Sequence, residues 1–358
     1  SREKYTVGER NYGLDAARIC AMCGIIILHI LGQGGVLAAC HLNSGHYWVS
    51  WWLEICAYCS VDLFALISGW LGIYKKKNSI SRSLQLIGIV IFYSAIFTVL
   101  FFLAEPSVFS GYADVVKSIF PPLAGRYWYI TCYIPLAILQ PFINRMLLAL
   151  SENQHRVLCM LSIFLFAFIP SLLKNDFFAF KDGYSFVWLA VCYIIGAYLR
   201  RSETDTSCKA RYMGMFFAGS LLLLLGNILI NQIWGYDWHY FISYTSPVTL
   251  FMAIVLLLYM KSADIKHGRK AVMQTASVAF DVYVIQCHIL IYDRILKDRF
   301  MAIAGLPLVV LPVAVIGCAI VMYLAFALAG GIRGFLFEKF GLNRLCKFAA
   351  LKIDKVIY

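Results

Sequence analysis

Apolar runs of about 20 residues recur along the whole chain, and nothing else in it restricts the fold so strongly. A run of that length crosses the hydrocarbon core of a bilayer as an α-helix, whereas barrel strands show runs of about 10 residues that alternate in polarity. Ten runs can be marked, at roughly 14–38, 48–73, 83–104, 127–148, 157–173, 185–199, 212–233, 245–260, 276–293 and 305–331. The composition agrees: 61% of the 358 residues are hydrophobic and 14% charged, against about 25% charged in a soluble domain. Mean hydropathy is +0.76. The sequence therefore predicts an all-α integral membrane protein of about ten transmembrane helices. One transmembrane domain covers 1–331, and 332–358 form a short cytoplasmic amphipathic tail in which Phe and Leu mix with Lys and Arg at helical spacing. The fifth and sixth runs are short, which suits a tilted or partly re-entrant path. The polar start "SREKYTVGERNY" leads into a helix too long for a signal peptide, so no cleavable signal is expected.

Charge orients the chain. An even number of spans puts both ends on one side. With the N-terminus inside, 24 of the 31 Lys and Arg residues fall on the inner side and 7 on the outer. By the positive-inside rule both termini are cytoplasmic. The net charge of +12 then faces anionic lipid and cytosol, and no nucleic-acid partner is implied. The twelve cysteines are scattered through apolar segments. Cys20/Cys23 and Cys56/Cys59 have C-x-x-C spacing, but inside helices, so they read as small apolar residues and no metal or disulfide framework is expected.

Polar groups near the middle of a membrane helix cost roughly 2.5–3.5 kcal/mol each, so they are candidates for function. The run "LDAARICAMCGIIILHIL" (14–31) holds two, Arg18 and His29. Their separation of 11 positions is about 20° past three full turns, which sets them on one face about 16 Å apart. Asp15 lies one turn before Arg18 and can pair with it. Taken singly, Arg18 reads as an arginine snorkelling to the interface and His29 as a histidine bonded between helices. Their shared face offers a joint task. An arginine fork suits a phosphate-bearing donor, and a neutral imidazole further in suits general-base work on a hydroxyl. On that reading both side chains line one continuous cavity open to the cytoplasm.

Two further stretches carry polar residues. In "SVAFDVYVIQCHILIYDRI" (277–295), His288 lies mid-run, with Asp281 and Ser277 on its face and Tyr283 nearby. A polar seam that joins helices explains this equally well. "GRYWYITCYIPLAILQPF" (125–142) brings Arg126, Trp128, Tyr129, Tyr133 and Gln140 to the start of the fourth run. An interfacial anchor explains the aromatics but not Arg126 on the outer side. The outer loops "HYWVSWW", "NDFFAFKDGYSFVW" and "IWGYDWHYF" are aromatic. They read as the interfacial belt, or as a platform for the apolar faces of sugar rings, with Asp114, Asp176, Asp182 and Asp237 to accept from hydroxyls.

These blocks resemble the membrane-bound acyltransferase-3 family. "LDAAR" (14–18) through His29 is similar to its first-helix signature of an Arg, ten residues and a His. "SVDLFALISGWL" (60–71), "RYWYIT" (126–131) and "VYVIQCH" (282–288) resemble three further family blocks in order and spacing, over nearly the whole chain. One departure stands out. The family has two arginines spaced R-x-x-R before the third span. Here "KKKNSISRSLQL" (75–86) supplies Arg82, but Ser79 and Gln85 stand where a second would be. Lys75, Lys76 and Lys77 match the charge, not the bidentate geometry.

The resemblance implies an enzyme of the bacterial cytoplasmic (inner) membrane that moves an acetyl or other short acyl group from cytoplasmic acyl-CoA to a hydroxyl of a cell-surface glycan or lipid-linked saccharide. Acetyl-CoA would be the donor and no metal is called for. Arg18, Arg82 and Lys75–Lys77 would meet the donor's phosphates. His29 would act as general base or acyl relay, assisted by His288. Asp15, Ser68, Arg126, Trp128, Tyr129, Tyr133, Asp281 and Tyr283 would contact substrate. A transporter or flippase for a lipid-linked sugar or small solute is the main alternative, although no inverted repeat is visible. A sensor that binds its ligand without turnover is a third.

Overall fold

The computed structural model describes residues 10–75, 80–121, 127–202, 209–235, 239 and 241–357, leaving out the side chains of 80, 81, 347, 350 and 352–357. Lys76, Lys77, Arg126 and Asp237 lie outside the described residues. Among those described the chain is helical, without strands. Among the described residues seven helices are long and apolar enough to cross a membrane: Tyr12–Ala39, Gly45–Gly72, Arg82–Ala104, Trp128–Ala149, Glu152–Leu173, Lys209–Trp234 and Val310–Lys339. The runs expected at 185–199 and 245–260 are helices of 16 and 15 residues, Phe186–Arg201 and Pro247–Lys261. At 1.5 Å per residue these are about 23 Å long, short of a full hydrocarbon core.

The run at 276–293 is not one helix. Arg269–Gln286 and Ile291–Gly305 meet at 74°, and His288 sits in the break. The last long helix runs on to Lys339, past the expected end at 331, and a separate helix Leu342–Ile357 follows.

The elements that carry the argument are α1 (Tyr12–Leu31), α2 (Gly45–Tyr58), α3 (Ser60–Gly72), α4 (Ile80–Ala104), α5 (Trp128–Ala149), α6 (Phe186–Arg201), α7 (Pro247–Lys261), α8 (Ala279–Gln286) and α9 (Val310–Lys339). The Asn11 side chain caps α1 by accepting from the Leu14 N–H at 3.2 Å, and Asp15 in the first turn complements the positive helix end. From there α1 packs against α2, α3, α7, α8 and α9. The first two spans are 61% and 72% buried, and the other five 17–28%. Polar side chains that lipid would penalise, His29 and Glu54 among them, therefore sit on helices that lipid scarcely touches. The outer spans expose large apolar residues such as Leu103, Leu222 and Val321 instead.

A very close contact joins α3 to α6. A Cβ on Gly69 would lie 2.0 Å from the Tyr193 carbonyl oxygen, and one on Gly196 would lie 2.1 Å from that of Leu66. Only glycine allows the two backbones so close. Asp62, fully buried on α3, accepts from the Trp188 indole N–H of α6 at 2.9 Å across the same seam.

Candidate active site

Two cavities lie along α1. The first, about 480 Å³, is lined by Arg10, Arg18, Lys75 and Arg82 together with Ser68, Ser83, Tyr133, Gln140 and Ser277. None of its described lining residues is acidic. Asp15 sits behind it. Its carboxylate takes a two-point ion pair from Arg10, with Nε at 2.6 Å and Nη2 at 3.2 Å, and lies 3.5 Å from Arg18 Nη1. The pair raises the Arg10 pKa above the ordinary arginine value. Lys75, though solvent-accessible, is shifted the other way: partial desolvation, then the neighbouring charges of Arg82 and Arg18, lower its pKa. Such a crowd of cations is unfavourable by itself and is relieved by a polyanion.

The second cavity, about 430 Å³, contains His29 and Glu54. Around them stand Tyr58, Tyr127, Trp128, Tyr129, Tyr184, Tyr244, Tyr283 and Tyr292, with Phe64, Gln33 and Cys287. The Tyr292 ring meets the His29 ring edge-on, 5.0 Å between centroids. Gln286 interacts with the imidazole. Even so, neither His29 Nδ1 nor Gln286 Oε1 has a hydrogen bond among the described residues. Tyr58 and Tyr244 stack at 4.7 Å, and Trp128 stacks on Tyr244 at 6.0 Å. The result is a pocket of flat apolar faces rimmed by hydroxyls, the surface that suits a ring with two apolar faces and polar edges.

Helical periodicity builds both walls. Glu54, Tyr58, Val61 and Phe64 follow one another at spacings of 4, 3 and 3 along α2 and α3 and face the His29 cavity; Phe64, Ser68, Leu71 and Lys75 continue the stripe into the basic cavity. Tyr129 and Tyr133, stacked at 5.9 Å on α5, do the same from the other side.

Arg18 and His29 thus do not share one continuous cavity, as the sequence had suggested. They line two, which have Phe64 and Tyr129 in common. The spacing on α1 sets direction along one helix, but it carries no information about rings that neighbouring helices place between the two residues.

The ninth run is corrected as well. His288 lines neither cavity. It is fully buried, with Nε2 3.2 Å from the Ser118 carbonyl and Nδ1 accepting from the Leu290 N–H at 3.3 Å. Asp281 is taken up by Arg333 of α9, in a two-point pair at 2.7 and 2.8 Å, and by the Tyr93 hydroxyl of α4 at 2.9 Å. The break at 287–290 turns His288 off the face it would share with Asp281 on a straight helix. Two of the outer aspartates hold backbone: Asp176 accepts from the Phe180 and Lys181 N–H groups and Asp114 from that of Ser110. Ser68, Tyr129, Tyr133, Trp128 and Tyr283 all reach one cavity or the other. Sequence reasoning passed over Glu54 and Arg10. An acidic residue inside an apolar run, in helical register with Ser68, was the available signal for Glu54. Among the described residues no group of three or more His, Cys, Asp or Glu side chains is placed to hold a metal ion.

Comparison with known proteins accords with this architecture. The family model of the acyltransferase-3 domain, described as an acyltransferase domain, matches residues 11–330. No curated protein and no solved structure matches the chain. The matched span holds both cavities except Arg10, together with all the spans except the end of the last. The chain is a multi-pass membrane protein that belongs to the acyltransferase-3 family.

Proposed function

We propose that this acyltransferase carries an acetyl or other short acyl group from cytoplasmic acyl-CoA to a hydroxyl of a cell-surface glycan or lipid-linked saccharide, in a bacterial inner membrane with both termini cytoplasmic. One observation carries the proposal. A cavity lined by four cations and an aromatic cavity holding a histidine whose Nδ1 has no hydrogen bond lie end to end along α1, with only Phe64 and Tyr129 common to both. Four cations without a lining carboxylate suit the phosphates of coenzyme A. The aromatic box suits a pyranose ring. Thioester and hydroxyl then have to meet near His29, which requires the Phe64 and Tyr129 rings to part.

His29 acts as general base in this scheme. It takes the proton as the hydroxyl oxygen attacks the thioester carbonyl. A C–O bond forms, the C–S bond breaks, and the proton passes on to the departing thiolate. An imidazole whose Nδ1 forms no hydrogen bond among the described residues is the supporting feature. Transfer by way of an acyl-imidazole uses the same placement.

Purified protein given radiolabelled acetyl-CoA and surface glycan tests the reading. Label should enter the glycan with release of free coenzyme A, and His29→Ala should abolish both. Glycan translocation without thioester cleavage would sink it in favour of a flippase.

A further inference from the structure

Four acidic side chains are buried among the described residues: Asp15, Glu54, Asp62 and Asp281. Three are held by protein. Asp15 pairs with Arg10, Asp62 accepts from Trp188, and Asp281 is shared by Arg333 and Tyr93. Glu54 is the exception. It is 9% exposed, its Oε2 is buried without a partner, and no hydrogen bond or ion pair to it is formed among the described residues. A buried carboxyl left in that condition is costly, so a partner is expected to arrive from elsewhere.

Its place in the fold says from where. Glu54 lines the His29 cavity, whose described lining contains no Lys or Arg and no other carboxyl. The partner is therefore something that enters this cavity and brings hydrogen-bond donors. The rest of the wall is made of tyrosine and tryptophan faces, so the ligand also has flat apolar surface to cover. A sugar ring meets both conditions.

We propose that Glu54 is the acceptor-binding carboxyl of this enzyme. It exchanges hydrogen bonds with hydroxyls of a sugar ring seated against Tyr58, Tyr244 and Trp128, and so presents an adjoining hydroxyl to His29. The proposal rests on the reading of His29 as the base. Glu54 forms no bond to the acyl group and takes no proton from the attacking hydroxyl.

The test uses the full chain. Base-labile acyl esters on surface glycans are measured by mass spectrometry in cells expressing wild type, Glu54→Gln, Glu54→Asp or His29→Ala, and acetyl-CoA affinity is measured on the purified proteins in nanodiscs. Glu54→Gln should lower ester formation by about tenfold or more while acetyl-CoA affinity stays within about twofold, with Glu54→Asp between. In membranes supplied with purified glycan, the defect should appear in KM for glycan and not in KM for acetyl-CoA. Near-wild-type ester formation in Glu54→Gln overturns the proposal. So does loss of acetyl-CoA affinity in that variant, which would mark a structural role. A His29→Ala protein that still forms esters overturns the catalytic reading and this one with it. An inactive His29→Ala beside a fully active Glu54→Gln overturns this one alone.

Discussion

Phe64 and Tyr129 meet edge to face, their ring centroids 6.4 Å apart, and both rings line the basic cavity as well as the His29 cavity. Under the proposed function they stand between the donor cavity and the acceptor cavity. Enlarging one ring should hinder the arm that must pass. Phe64→Trp is expected to lower kcat by about tenfold, roughly 1.4 kcal/mol of barrier, with acetyl-CoA affinity unchanged. A parallel loss of affinity, read by calorimetry, would argue against a partition.

Arg18 offers a planar fork held in place by Asp15 at 3.5 Å. Arg18→Ala should raise KM for acetyl-CoA by about tenfold or more, and Arg18→Lys should restore only part of it, since an ammonium gives up the bidentate geometry. Dephospho-coenzyme A thioesters should be less sensitive to the substitution, and rising salt should weaken wild-type donor binding.

If the basic cavity holds the donor as proposed, Lys75 gives donor binding a pH dependence. Partial desolvation and the charges of Arg82 and Arg18 set its pKa below the ordinary lysine value. The ammonium is present below that folded pKa and is lost as pH rises through it, so KM for acetyl-CoA should climb on the alkaline side. Donor phosphates favour the charged form, and binding in that range should therefore take up a proton. Calorimetry in buffers of different ionisation enthalpy checks the uptake, and Lys75→Met should remove it.

The Asp281–Arg333 pair ties α8 to α9, with Tyr93 of α4 as a third member. Removing one partner leaves a buried charge alone. Arg333→Met should cost about 3–5 kcal/mol of stability, measured by denaturation in detergent. Arg333→Met with Asp281→Leu should recover most of the loss, because the uncompensated charge is gone.

His288 should matter for stability and not for catalysis. With both ring nitrogens engaged by backbone at 3.2 and 3.3 Å, His288→Ala is expected to cost about 1–3 kcal/mol. Acyl transfer per folded molecule, assayed beside His29→Ala, should remain near wild type.

The sequence by itself determined the solvent, the element type and one side of the site. Apolar run length requires membrane helices, since an unpaired backbone in lipid is forbidden. The spacing from Arg18 to His29 put both on one face of α1, because that relation is internal to a single helix. The stripe from Glu54 through Phe64 and Ser68 to Lys75 is periodic in the same way, but the sequence reading passed over it. Only the tertiary structure decided what crosses between helices. It set Phe64 and Tyr129 between Arg18 and His29, gave Asp281 to Arg333 from 52 residues further on, and broke the ninth run so that His288 turned away. Periodicity fixes which face a residue occupies. Which neighbour fills that face depends on packing among helices distant in sequence, and no local pattern records it.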